Sequence, residues 1–162
     1  MIRISVEIQE KRWLEALPDA ITLARRAGEV ATPRRRRGEV TVLLASDGIL
    51  RELNRRFRCV DQATNVLAFP APPNARGHLG DVALAFGVCE AEAEAQAKPL
   101  ADHLRHLVIH GILHLMGYDH QTDAQAETME GIERHLLATL GVPDPYAAGN
   151  DQGDHVQHGS RA

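Results

Sequence analysis

Apolar and polar residues alternate from the start of the chain. Ile2, Ile4, Val6 and Ile8 fall on one side and Arg3, Ser5, Glu7 and Gln9 on the other, which predicts a half-buried strand over residues 2–9. The period then lengthens to that of a helix at Trp13, Leu14, Leu17, Ile21, Leu23 and Ala24, with Pro18 set to kink or divide the segment and Gly28 to stop it. A basic loop at residues 34–38 leads into an apolar run at 40–45, read as a buried strand. Ser46 or Asp47 then caps a helix whose core stripe is Leu50, Leu53 and Phe57. Residues 64–69 predict a short strand closed by Pro70, followed by a loop through Pro72, Pro73, Asn74 and Gly77, and alternation resumes over 80–86. An alanine- and glutamate-rich helix at 90–98 is ended by Pro99, and a histidine-bearing helix follows at about 100–116. Thr122 or Asp123 caps a last helix running to Leu140. On it Met129, Ile132, Leu136 and Leu137 are assigned inward and Glu127, Glu130, Glu133 and Arg134 outward. Gly141 and Pro143 stop this helix, and from Asp144 onward little apolar content remains. The folded domain is therefore expected over residues 1–142, with 143–162 a disordered tail.

At 162 residues, 44% hydrophobic and 25% charged, the chain has the make-up of one soluble domain with a real core. No apolar run approaches the roughly 20 residues that span a bilayer, and the alternating N-terminus with Glu7 and Glu10 is not a signal peptide. Cys59 and Cys89 show no CxxC spacing and give no disulfide framework, which points to a reducing cytoplasm and away from any membrane. The net charge of −4 argues against a nucleic-acid binder, but its distribution changes that picture. Between Arg34 and Arg58 eight arginines face only Glu39, Asp47 and Glu52, whereas residues 81–102 hold five acids against Lys98. Such a field gives one basic face, and arginine is the side chain suited to forked phosphate contacts.

The candidate chemistry lies in His110-Gly111-Ile112-Leu113-His114-Leu115-Met116-Gly117-Tyr118-Asp119-His120. His110 and His114 stand one helical turn apart, so two imidazoles can reach one metal ion. A helix running on would carry His120 about 240° around, to the wrong side. Gly117 ends the helix and reverses the chain, which can return His120 to the same face. Three nitrogen ligands with a fourth position left to water form a hydrolytic zinc arrangement. A lone HxxxH pair could equally be two ordinary polar residues; the glycine and the third histidine turn the reading to metal. Asp119 is either a fourth ligand or a group that orients an imidazole. The spacing is similar to the zinc-protease pattern HExxHxxGxxH, except that Gly111 replaces the glutamate base. His103 and His106 continue the stripe and could displace a ligand. His106 is assigned to a supporting or substrate contact and His103 to the surface. His78 is placed in a loop, and His155 and His158 in the tail, where they could pick up stray metal.

These residues carry a family resemblance. HGILHLMGYDH resembles the signature H-G-x-L-H-L-x-G-Y-D-H of the YbeY endoribonucleases, bacterial rRNA maturation factors, at every fixed position. Leu53-Asn54-Arg55-Arg56-Phe57-Arg58, then Asp61, then Thr64-Asn65-Val66-Leu67-Ala68-Phe69-Pro70 is similar to the family's LNxx[YF]RxxDxPT[DN]VLSFP, departing at Ala63 and Ala68. Gly80-Asp81-Val82 matches a GD[IV] strand start, and the likeness covers residues 1–142. It implies an α+β fold, a small mixed sheet packed by helices, with the metal site on a long central helix and the loop after it. It implies one Zn2+ held by His110, His114 and His120, and Arg58 and His114 as catalytic residues. The implied activity is cleavage of single-stranded RNA, not DNA, in maturation of the 16S rRNA 3′ end and in ribosome quality control, with the small ribosomal subunit and its assembly factors as partners. With RNA as the substrate, Gly111 would leave room for its backbone. Two other readings compete: a zinc peptidase-like hydrolase, disfavoured by Gly111, and a non-catalytic ribosome-assembly factor with a structural zinc.

Overall fold

In the computed structural model, which describes residues 1–147, the alternating N-terminus forms β1 (Ile2–Ile8). Pro18 divides the next segment into α1 (Arg12–Ala16) and α2 (Ala20–Val30), because its ring lacks a donor and clashes with the turn before it. β2 (Gly38–Ala45), α3 (Asp47–Arg58), β3 (Val66–Pro70), β4 (His78–Ala85), α4 (Phe86–Ala95), α5 (Leu100–Leu115) and α6 (Asp123–Thr139) follow. The sheet order is β1-β2-β4-β3, parallel except for the antiparallel β3–β4 pair. The fold is the expected α+β, with a four-stranded mixed sheet. Among the described residues no helix is long and apolar enough to cross a membrane.

Strand alternation divides the core in two. Ile2, Ile4, Val40, Val42, Leu44, Val66, Ala68, Val82 and Leu84 face the layer built by α2 and α5. Leu43, Ala45, Leu67, Phe69, Ala83 and Ala85 face the opposite way, where α3 contributes Leu50 and Leu53. Trp13, fully buried, donates its indole N–H to the Ala45 carbonyl at 3.0 Å. α6 starts at Thr122 with a capping box: Gln125 N–H donates to the threonine hydroxyl, and the Gln125 side chain returns to the Thr122 amide.

Several expectations change, beginning with Phe57, assigned to the core stripe of α3 but 62% exposed. α4 starts at Phe86, four residues before the predicted Glu90, although Ala85 offers no capping side chain. Its cap comes from α3: Asp47 Oδ1 accepts the Val88 N–H at 3.0 Å, and Gly87 supplies the room, since a Cβ there would strike the Asp47 carboxylate. Gly28 does not stop α2 but lies within it at the crossing with α5, where a Cβ would stand 3.0 Å from both Ile4 and Ile112. His103, expected at the surface, is 1% exposed with its Nε2 2.8 Å from Glu92. Glu133, expected to face out, is fully buried. It stands one turn from Met129 and one turn from Leu137, so the apolar stripe of α6 passes through it.

Gly111 marks the closest approach of α5 to the sheet. A Cβ there would meet Val82 Cγ1 at 2.6 Å and Val66 Cγ2 at 3.4 Å, so the residue faces the core and leaves no room for a nucleic-acid backbone. Alanine at 111 gains up to about 1 kcal/mol in helix propensity but forces a stiff, β-branched Val82 aside, at about 1–3 kcal/mol. Gly111→Ala should therefore be net destabilising in urea unfolding; an equal or higher stability would mean that Val82 yields freely.

Burial pushes the His103 ring below its usual value of 6.5, against the pull of Glu92. The unfolded chain then binds more protons than the native one as pH falls below that value. The ring's contribution to stability is present above about pH 6.5 and is lost as pH drops towards the lowered native value. His103→Gln should flatten the fall of unfolding free energy between about pH 7.5 and pH 5. Parallel slopes in parent and variant would remove His103 as a cause.

Candidate metal centre

Of the 16 residues of α5, 11 are buried, His103, His106 and His110 among them. His103, His106, His110 and His114 follow one another along that helix, with ring centroids 6.4, 6.3 and 4.8 Å apart in order. The chain then reverses as the glycine predicted. Gly117 has φ +103°, its N–H donates to the His114 carbonyl, and the Tyr118 N–H reaches back to the Leu113 carbonyl, each at 3.0 Å. Asp119 Oδ1 accepts the His120 backbone N–H at 2.7 Å, which braces the loop, and Asp119 is not one of the clustered ligand groups. The His120 ring lies stacked 5.5 Å from His110 and edge-on 4.9 Å from His114. One ligand nitrogen from each of the three histidines lies within 4.8 Å of the other two, the group among the described residues able to hold a metal.

The donor set fits such an ion. His110 Nδ1 is 2.7 Å from Glu133 Oε2; a carboxylate only accepts, so Nδ1 carries the hydrogen and Nε2 keeps its lone pair for a metal. Burial, together with the neighbouring His110 and His120, pushes the His114 imidazole down to about 3, so the ring is neutral. Neutral imidazoles suit zinc and its first-row neighbours.

Glu133 is the functional residue that sequence reasoning missed. Its Oε1 takes His106 Nε2 at 2.8 Å and the Tyr146 hydroxyl, while its Oε2 takes His110. Burial pushes this carboxyl up, but the two histidines outweigh it and hold it well below the usual range. Burial and the Glu133 charge push the Tyr146 phenol far above its usual range, so it is a donor. His106, buried and turned to Glu133, supports the cluster without belonging to it, as the sequence suggested. The spacing of Met129, Glu133 and Leu137 was the available signal for Glu133; for Tyr146, beyond the last helix, there was none.

Arg58 is the half-buried last residue of α3, which Cys59 ends in a left-handed conformation with φ 59°. Phe57 beside it packs 5.5 Å from Phe69, and Phe69 precedes Pro70, which pairs with Gly80. From the other face, Leu115 beside His114 closes on Gly80, where a Cβ would stand 2.8 Å from its Cδ2. The ends of α3 and α5 therefore meet the same corner of the sheet from opposite sides. Arg36 Nη1 lies 3.5 Å from Met116 Sδ, which brings the exposed loop of Arg34, Arg35, Arg36 and Arg37 beside the end of α5. Arg51 and Arg55, which had no evident partner in sequence, pair with Asp61 at 2.7 Å and Glu52 at 2.6 Å; both pairs are exposed and weak. His78 sits on β4 rather than in a loop, 3.1 Å from Asp81, and His155 and His158 lie outside the described residues.

Residues 3–141 match the family model described as endoribonuclease YbeY. A protein of Maricaulis maris named endoribonuclease YbeY is 57% identical over 114 residues, 70% of this chain and 71% of its own. One of the same name from Paramagnetospirillum magneticum is 46% identical over 157 residues, 90% of this chain and 96% of its own. The solution structure of a Thermotoga maritima protein aligns with a TM-score of 0.54 at 26% identity, covering 93% of this chain and 99% of that one. With the signature histidines gathered on α5 and the loop after it, and the match running from β1 past the end of α6, the chain belongs to the YbeY endoribonuclease family.

Proposed function

We propose that the protein is a zinc-dependent, single-strand-specific endoribonuclease that matures the 3′ end of 16S rRNA and serves ribosome quality control in the cytoplasm, on or near the small ribosomal subunit. The observation that carries this reading is the convergence of His110, His114 and His120 in a chain of an endoribonuclease family. Structural zinc sites close with four protein ligands, so a cluster of three favours a working ion over a purely structural one. Zinc held there supplies Lewis acidity, lowering the pKa of water to about 7, so no glutamate base is needed at 111. A side chain at that position would in any case point at Val82, which counts against a peptidase of the HExxH type.

The remaining chemistry falls to cationic side chains. Cleavage of a phosphodiester gathers negative charge on the non-bridging oxygens, and a guanidinium at the sheet corner shared with α5 can neutralise it. Arg58 has that role. The four exposed arginines of the 34–37 loop, next to Met116, hold phosphates of the strand on either side of the scissile bond.

Purified protein should carry about one zinc per chain by atomic emission, and His114→Ala or His120→Ala should lose most of it while His106→Ala keeps it. The opposite pattern for His120 and His106 would overturn the ligand set. For Arg58→Ala, single-turnover cleavage at saturating RNA should slow by on the order of 10²-fold with affinity little changed. A parental rate would reduce Arg58 to a binding group. Replacing Arg34 and Arg35 together should do the reverse. Each lost single-strand contact flattens the slope of log affinity against log salt by roughly 0.7, which filter binding across a salt series will show or refute.

A further inference from the structure

The segment after α6 returns to the metal centre. Pro143 and Pro145 stiffen it, Asp144 Oδ1 accepts the Tyr146 N–H at 2.8 Å, and Arg134 Nε reaches the same carboxylate at 3.2 Å. The Arg134 guanidinium also lies 5.3 Å over the Tyr146 ring. These outer fastenings are exposed, whereas the phenol itself is directed inward, edge-on to His106 at 5.3 Å with its hydroxyl on Glu133. Tyr146 lies beyond residues 3–141, the stretch that the family model matches.

We infer that Tyr146 and Glu133 are positioning residues that set how tightly the histidine triad holds its metal. The geometry divides the carboxylate between two tasks. Oε1 is occupied by the His106 Nε2–H and the Tyr146 O–H, and Oε2 is left to the Nδ1–H of His110. Two donors on one oxygen keep the carboxylate from rotating, so Oε2 stays aimed at His110. A ring held by its Nδ1–H turns an unprotonated Nε2 in a fixed direction, which is how supporting partners raise the affinity of a histidine site. The segment after α6 thus acts as a latch on the triad, with Glu133 and His110 standing between Tyr146 and the metal.

The inference rests on the zinc reading above, and the test separates the two. Zinc affinity of the full chain is measured by competition with a chromophoric chelator, and thermal unfolding of each zinc-free variant reports its fold. Glu133→Gln should weaken zinc by about 10–100-fold. Tyr146→Phe keeps the ring against His106 and Arg134 but lacks the hydroxyl, and should weaken zinc by roughly threefold to tenfold, the reach of one hydrogen bond, with a zinc-free midpoint near the parent's. Nitrogen-edited NMR of the zinc-free parent should find the His110 proton on Nδ1. A parent that takes up no zinc overturns the zinc reading. A parent that binds zinc alongside a Tyr146→Phe variant of equal affinity overturns the latch alone, as does a His110 proton found on Nε2.

Discussion

Burying a stripe of histidines is costly unless their ring nitrogens find partners, and one carboxylate takes a nitrogen from two of them. Glu133 has no exposed surface, and transferring a carboxylate out of water costs several kcal/mol even after the protein relaxes. Its three charge-assisted hydrogen bonds, from His106, His110 and Tyr146, offset that cost. Each of them also does something for the site: one fixes the tautomer of His110, one anchors the next histidine along the helix, and one ties down the chain after α6. Glu92 meets the same need a turn and a half earlier, taking His103 on one side and the Asn65 amide on the other. α5 can lie in the middle of the domain because these two acids, on α4 and α6, accept from its polar face.

The opposite face of α5 is shaped by the lack of side chains. Gly111 against Val82, and Gly28 against Ile4 and Ile112, bring helix, sheet and second helix closer than any larger residue would allow. This close seat holds α5 against the sheet, and Gly117 ends the helix just past the sheet corner. There Leu115 rests on Gly80 from one face while Phe57 and Phe69 pack together on the other. Arg58 on α3 and His114 on α5 belong to different layers, and that corner is the place where the two layers come together.

Much of this was legible in the sequence. Alternation gave β1, proline divided α1 from α2, and the helical period located α3, α5 and α6, because each of these signals is local and repeats within a few residues. The histidine cluster was legible for the same reason: a four-residue spacing on one helix and a glycine that reverses the chain need no long-range information, and φ +103° at Gly117 and the gathering of His110, His114 and His120 agree with it. The start of α4 was not legible, since its cap is supplied by Asp47, far back in the chain. Gly111 and Gly28 looked like a functional gap and a stop, because nothing in their neighbourhood announces the side chains from other strands and helices that they admit. His103 and Glu133 were assigned outward on polarity alone, yet each is buried against a partner on another helix. Tyr146 sits in a stretch whose composition reads as tail. The sequence by itself determined which elements form and which three nitrogens can meet. Only the tertiary structure decided which charged groups go inside, because the free energy of burying a charge depends on a partner that distance along the chain does not reveal.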